Sequence, residues 1–214
     1  MSATISPPAL PVEQFETTAN LTGTIVLDGR EKSLFSAGFI PGSVFIGLEG
    51  NFTYWAKHVL PADPSIKLLL VVPEAQVAEA VKLLREAGFT NIQGYLKGGF
   101  EAWRVAGKPV DEVPTLGVAR FAADFKGGKV AHVLDVRRPD EFGESHISGA
   151  QLLPLEVLRD RIQEADPVKA YHLHCRSGYR STIAASMLKA RGSATVVNLH
   201  GMIDEVFEAG VPSE

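Results

Sequence analysis

The chain has 214 residues, of which 45% are apolar and 21% charged, and its formal net charge is −4. That length holds one large domain or two small ones, each able to bury its own core. The acidic balance excludes a general attraction to nucleic acid or to an anionic membrane, and a single cysteine excludes an internal disulfide.

Taken from the N-terminus, MSATISPPALPV lacks the basic start and apolar core of a secretory signal. The run Leu68 to Pro73 is the longest apolar stretch and is too short to cross a bilayer. A cytoplasmic protein with no membrane or nucleic-acid partner is expected. PALPVEQF (8–15) is followed by TIVLD, a short β-branched strand, and then by IKLLLVV, a compact apolar run that reads as a buried strand. QVAEAVKLLREAG reads as a helix, NIQGYL as another strand, and a last helix precedes AGKP (106–109). The pattern then repeats. PTLGVARF (114–121) echoes PALPVEQF, and Asp28, Arg30, Phe35, Ile40 and Gly42 recur 107 positions later as Asp135, Arg137, Phe142, Ile147 and Gly149. Ala-Asp-Pro at 62–64 and 165–167, and AG-x-P at 106–109 and 209–212, recur at 103 instead, so the first copy carries about four extra residues around GLEGNFTYW. A period this long is a domain duplication, giving domains 8–110 and 111–214 joined by KPVDEVPT, stiffened by two prolines. Strands alternating with helices predict an α/β fold, each domain a central parallel sheet with helices on both faces. In the second copy AYHLHC is the buried strand. RSTIAASMLKARG is its helix, with Ile183, Ala184, Met187 and Leu188 on one face and a stop at Gly192.

Cys175 stands where that strand turns into that helix, the corner at which open α/β sheets collect their chemistry. A loop curling from Cys175 through Arg176, Ser177, Gly178, Tyr179 and Arg180 would converge its N–H groups on the sulfur, and the helix N-terminus would add a positive dipole end. Gly178 permits the dihedrals of such a curl, Ser177 and Tyr179 bring hydroxyls, and Arg180 brings a planar fork of donors. Each element favours thiolate over thiol. A lone cysteine is more often a small buried hydrophobe, but that role gains nothing from two arginines and a glycine at a strand-to-helix corner. Cysteine phosphatases use His-Cys, five residues, Arg; here only four residues separate Cys175 from Arg180, and the tighter ring suits one sulfur atom better than a phosphoryl group.

LDVRRPDEF followed by SHISGA, CRSGYRS, and GYLKGGFEAW in the first copy together resemble the rhodanese (sulfurtransferase) family, as two tandem modules covering nearly the whole chain. FIPGSVFIGLEGNFTYWAKHVLP and CRSGYRSTIAASML are similar, more narrowly, to the paired rhodanese modules of persulfide dioxygenase–rhodanese fusions, although the metal motif of the dioxygenase is absent. The resemblance implies a two-step relay with no cofactor and no metal. Cys175 takes the outer sulfur of thiosulfate or of a low-molecular-weight persulfide such as glutathione persulfide, and a thiol or cyanide then removes it. It also implies that Arg176, Ser177, Gly178, Tyr179 and Arg180 bind the donor, with Arg180, and Arg176 as a second candidate, orienting an anionic one. A separate persulfide dioxygenase is the implied partner, and a non-catalytic sulfur carrier is the alternative.

At an offset of 103, Cys175 meets Val72 and Arg180 meets Val77, so the first copy lacks the chemistry and is expected to be structural. In the second copy Met202 and Val206 stand where the first has Gly99 and Trp103, a stretch expected near the pocket. Asp135 and Arg137 are expected to be a structural pair beneath the loop, because both recur in the silent copy. His146, matched by Phe39, is expected to pack. His172 and His174 alternate on one strand without further ligands at metal spacing. Phe52, Tyr54 and Trp55 are expected to form a packing cluster in the inserted stretch.

Overall fold

The structure, a computed structural model, describes residues 6–63, 65–193 and 195–214. The first five residues of the N-terminal stretch, Pro64 of the first Ala-Asp-Pro, and Ala194 lie outside them. The chain divides into two compact units, one ending at Asp111 and the other beginning at Glu112.

In chain order the first unit holds β1 (Ala9–Leu10), α1 (Val12–Ala19), β2 (Thr24–Asp28), α2 (Lys32–Ala37), β3 (Val44–Phe45) and α3 (Phe52–Val59). It continues with β4 (Lys67–Val71), a 3-10 turn (Glu74–Gln76), α4 (Val77–Glu86), β5 (Ile92–Leu96) and α5 (Gly99–Val105). The second unit repeats the series as β6 (Thr115–Gly117), α6 (Val118–Lys126), β7 (Val133–Asp135), α7 (Pro139–Glu144), β8 (Gln151–Leu152) and α8 (Leu155–Arg161). After the 3-10 turn Ile162–Glu164 come β9 (Tyr171–His174), α9 (Tyr179–Ala190), β10 (Val196–His200) and α10 (Ile203–Glu208). All strand pairs are parallel, and the orders β1-β5-β4-β2-β3 and β6-β10-β9-β7-β8 are the same arrangement twice. The expected fold class, two parallel α/β sheets with helices around them, is the one the chain forms.

Burial on both faces explains why the central strands read as unbroken apolar runs. In β4, Leu69 and Val71 face a cluster that includes Phe15 and Trp103, while Leu68 and Leu70 are fully buried on the opposite side. Each such leucine contributes roughly 1.5–3 kcal/mol relative to exposure. In the second unit Phe121, Val133, Ile147 and Leu199 rebuild the first cluster's Phe15, Val26, Ile40 and Leu96.

The four extra residues are placed by the elements around them. Six residues, 46–51, separate β3 from α3, whereas two, 153–154, separate β8 from α8. Phe52, Tyr54 and Trp55 therefore belong not to an insertion but to α3, the counterpart of α8. Phe52 and Trp55 are buried there, and Tyr54 stays partly exposed against the rings of Trp55 and His58.

Helix α9 departs from the one-faced expectation. Every residue from Ser181 to Leu188 is buried, because the helix packs on α8, β9 and β10 together. Its polar side chains tolerate this by bonding within the unit: Thr182 Oγ1 donates to the Gly178 carbonyl at 2.6 Å and Ser186 Oγ to the Ile183 carbonyl at 2.7 Å. Its counterpart α4 buries only Val77, Ala80, Val81 and Leu84, at helical spacing. Among the described residues no helix is long and apolar enough to cross a membrane.

Candidate active site

At the carboxyl end of the central strand β9 the chain turns through Cys175, Arg176 and Ser177 to Gly178, which has φ +83° and starts α9. That left-handed conformation is open to glycine at little cost and strains other residues. A buried relay fixes the turn, with Asn198 Nδ2 donating to Thr182 Oγ1 at 3.0 Å and Thr182 to the Gly178 carbonyl.

Cys175 is 2% exposed, and Ser181 meets its sulfur twice. The Ser181 N–H donates to Sγ at 3.4 Å, and the Ser181 hydroxyl lies 3.4 Å from the same atom. Ser181 is the third residue of α9, so its N–H is one of the donors that have no carbonyl four residues back. The sulfur thus caps a twelve-residue helix, where the positive dipole end favours an anion. Gly178 is buried, Arg176 and Ser177 are exposed, and Tyr179 and Arg180 are half-buried.

Arg180 turns its fork to Glu141 of α7, with Nη1 at 2.5 Å from Oε2 and Nη2 at 2.8 Å from Oε1. The pair holds Glu141 down to about 2, chiefly through those bonds, and pushes Arg180 above its ordinary value. Glu141 also caps α7 by accepting the Arg138 N–H at 3.2 Å.

Beneath the loop, Arg137 donates to both carboxylate oxygens of Asp135 at 2.6–3.0 Å and to the Ser145 carbonyl at 2.7 Å. Arg30 and Asp28 repeat this at 2.6–3.0 Å, with the Gly38 carbonyl at 2.8 Å. The first unit keeps the whole pattern, so the geometry is common to both units and does not depend on the thiol. The ring pair recurs as well: Phe142 stacks on His146 at 3.7 Å as Phe35 stacks on Phe39 at 4.2 Å. His174 differs from its neighbours. It is buried, with Nε2 3.3 Å from Asp135 Oδ2. Desolvation pushes it down to about 4, so it is neutral at pH 7. His172 packs edge-on to Phe121, and among the described residues no cluster of His, Cys, Asp or Glu forms a metal site.

The first unit shows what becomes of the corner without the thiol. Glu74–Gln76 wind into a 3-10 turn where the second unit has its loop. Val72 stands in the place of Cys175, and its Cγ1 lies 2.8 Å from where Gly29 would carry a Cβ. The second unit reverses the sizes, with Val136 matched to Gly29 and Cys175 to Val72. Beside Val72 a hollow of about 380 Å³ is lined by Arg30, Gly98, Gly99 and Phe100. Trp103 of the same stretch is buried against Phe15, with its indole N–H on the Pro109 carbonyl at 2.8 Å. Val206 takes that core position in the second unit, so its change is one of packing. At Gly201 a Cβ would collide with Val118 Cγ2, which keeps the glycine, while Met202 adopts φ −80° where Gly99 has +64°.

Sequence reasoning did not single out Ser181 or Glu141. CRSGYRS ends on Ser181 and LDVRRPDEF contains Glu141, but Ser181 lies one residue past the Cys175–Arg180 loop and Glu141 lies 39 residues from Arg180.

The profile of the rhodanese-like domain family matches residues 12–106 and 118–209. Among curated proteins, an uncharacterised protein of Bacillus subtilis is 38% identical over 79 residues, 36% of this chain and 63% of its own. A putative sulfur carrier protein of the same organism is 29% identical over 87 residues, 41% of this chain and 47% of its own. A thiosulfate sulfurtransferase of Escherichia coli is 33% identical over 75 residues, 34% of this chain and 72% of its own. The match spans less than two thirds of the first two relatives.

Proposed function

Because the chain belongs to the rhodanese-like domain family, through both its halves, we propose that it is a sulfurtransferase working through a persulfide on Cys175. The observation that carries this reading is the sulfur's seat at the head of α9, with the Ser181 N–H and hydroxyl both on Sγ. A thiolate there attacks the outer sulfur of thiosulfate; the S–S bond breaks and sulfite leaves with its electron pair. With an organic persulfide the leaving group is a thiolate. The terminal sulfur of the resulting Cys175 persulfide then passes to cyanide, giving thiocyanate, or to an acceptor thiol, and the Cys175 thiolate is regenerated. The chain has no second cysteine, so the acceptor comes from outside it. Arg176, Ser177, Gly178, Tyr179 and Arg180 form the mouth that receives the donor. The first unit is the structural partner, and the reaction belongs to the cytoplasm, with a dioxygenase that handles persulfides as one supplier of the donor.

A second reading, a sulfur carrier that loads without turning over, draws support from the putative sulfur carrier among the relatives. Mass spectrometry after exposure to thiosulfate or glutathione persulfide tests both. Either reading expects a gain of one sulfur atom, about 32 Da, that Cys175→Ser abolishes. Thiocyanate formation with cyanide then separates enzyme from carrier. A protein that never gains sulfur would end both.

A further inference from the structure

The two units form an internal comparison. Asp135–Arg137 and Phe142–His146 have counterparts in the silent unit, so they belong to the fold. Glu141 and Arg180 have none: Leu34 and Val77 stand in their places. Leu34 is exposed, Val77 is buried, and the same five-stranded sheet forms without an ion pair. The Glu141–Arg180 pair therefore accompanies the thiol, not the architecture.

Its geometry limits what Arg180 can do. Both terminal nitrogens bind the carboxylate, and Glu141 is held from its other side by the Arg138 N–H and by Arg138 Nε at 3.5 Å. A bidentate pair anchored in this way occupies the two donors that an incoming oxyanion would otherwise take. Glu156, at the start of α8, adds a second negative charge that acts on Arg180, and its Oε2 is buried with no hydrogen-bond partner among the described residues. The loop's other cation, Arg176, is exposed and has no ion pair among the described residues.

Resting on the sulfur-transfer reading above, we infer that Glu141 is a specificity-determining residue: it withdraws the Arg180 fork from the donor and leaves Arg176 to meet the donor's anionic group. Discrimination comes from an interaction refused as well as from one made. A compact dianion such as thiosulfate, whose charge sits beside the transferred sulfur, is the donor most affected.

Steady-state kinetics with thiosulfate and cyanide test this on the full chain. Glu141→Gln frees the fork, and KM for thiosulfate is expected to fall about tenfold, the worth of one charge-assisted contact, with kcat changed less than about threefold. Arg176→Ala, at an exposed position, is expected to raise KM about tenfold in the wild-type background and about twofold or less beside Glu141→Gln, where Arg180 takes over. Glu141→Leu reproduces the residue of the silent unit and gives the same readout if the glutamine variant folds poorly. An unchanged or higher KM in both Glu141 variants, or Arg176 effects equal in the two backgrounds, overturns the inference while the persulfide reading stands. A wild-type protein that takes up no sulfur from thiosulfate or glutathione persulfide overturns both.

Discussion

The N–H and the hydroxyl of Ser181 both lie 3.4 Å from Cys175 Sγ, so one residue of α9 supplies two donors to the sulfur. A hydrogen bond to a charged group contributes about 1.5–3 kcal/mol, and about 1.4 kcal/mol is a factor of ten in an equilibrium. Ser181→Ala keeps the N–H and removes the hydroxyl. Alkylation of the Cys175 thiol at neutral pH is expected to change by up to about tenfold relative to the wild type, since one donor to the sulfur is gone. Iodoacetamide labelling across a pH series reads this directly, and an unchanged profile would deny the hydroxyl any part in holding the thiolate.

His174 makes stability depend on acid. Burial drives its folded pKa from 6.5 to about 4, so between those values the unfolded chain binds a proton that the folded chain refuses. Its contribution is whole above pH 6.5 and lost as pH falls through about 4, a loss on the order of 3 kcal/mol. Val71 holds the matching position in the first unit, and His174→Val is expected to flatten stability across this window. Urea unfolding at pH 7, 5.5 and 4 makes the comparison.

A second, lower window belongs to Glu141. Arg180 draws its carboxyl from 4.5 to about 2, so the pair's contribution is complete above about 4.5 and disappears as pH falls toward 2. The Glu141→Gln protein should lack this lower dependence while keeping that of His174. Thermal unfolding below pH 5 separates the two.

Asp28 and Asp135 are expected to matter to folding alike, although only one lies beneath a thiol. Removing one partner of a buried ion pair costs about 3–5 kcal/mol, because the other charge is stranded. Asp28→Asn and Asp135→Asn should each lower stability by that order in urea titrations. If Asp135→Asn left stability intact and abolished sulfur uptake, the pair would belong to the chemistry.

Much of this was legible in the residues. The recurrence of Asp, Arg, Phe and Ile at 107 reports two copies of one sheet, because these side chains make the same contacts twice. Cys175 and Gly178 announce a corner because a thiol and a left-handed glycine between strand and helix have few other uses. The two-residue strands β1, β3 and β8 are shorter than one period of any hydrophobic pattern, so only their pairing reveals them. Glu141 was invisible for a different reason. Its nearness to Arg180 arises because β7 lies beside β9, a choice of topology that no local stretch encodes. The burial of α9 all round was hidden by its serines and threonine, which read as a solvated face until their internal acceptors are known.

The exchanged sizes of Gly29 with Val72 and Val136 with Cys175 tie the two positions together. Enlarging Gly29 alone would drive a methyl group into Val72, so a side chain at position 29 is admitted only where residue 72 gives way. Grafting the second half's loop onto the first therefore calls for a change at both positions.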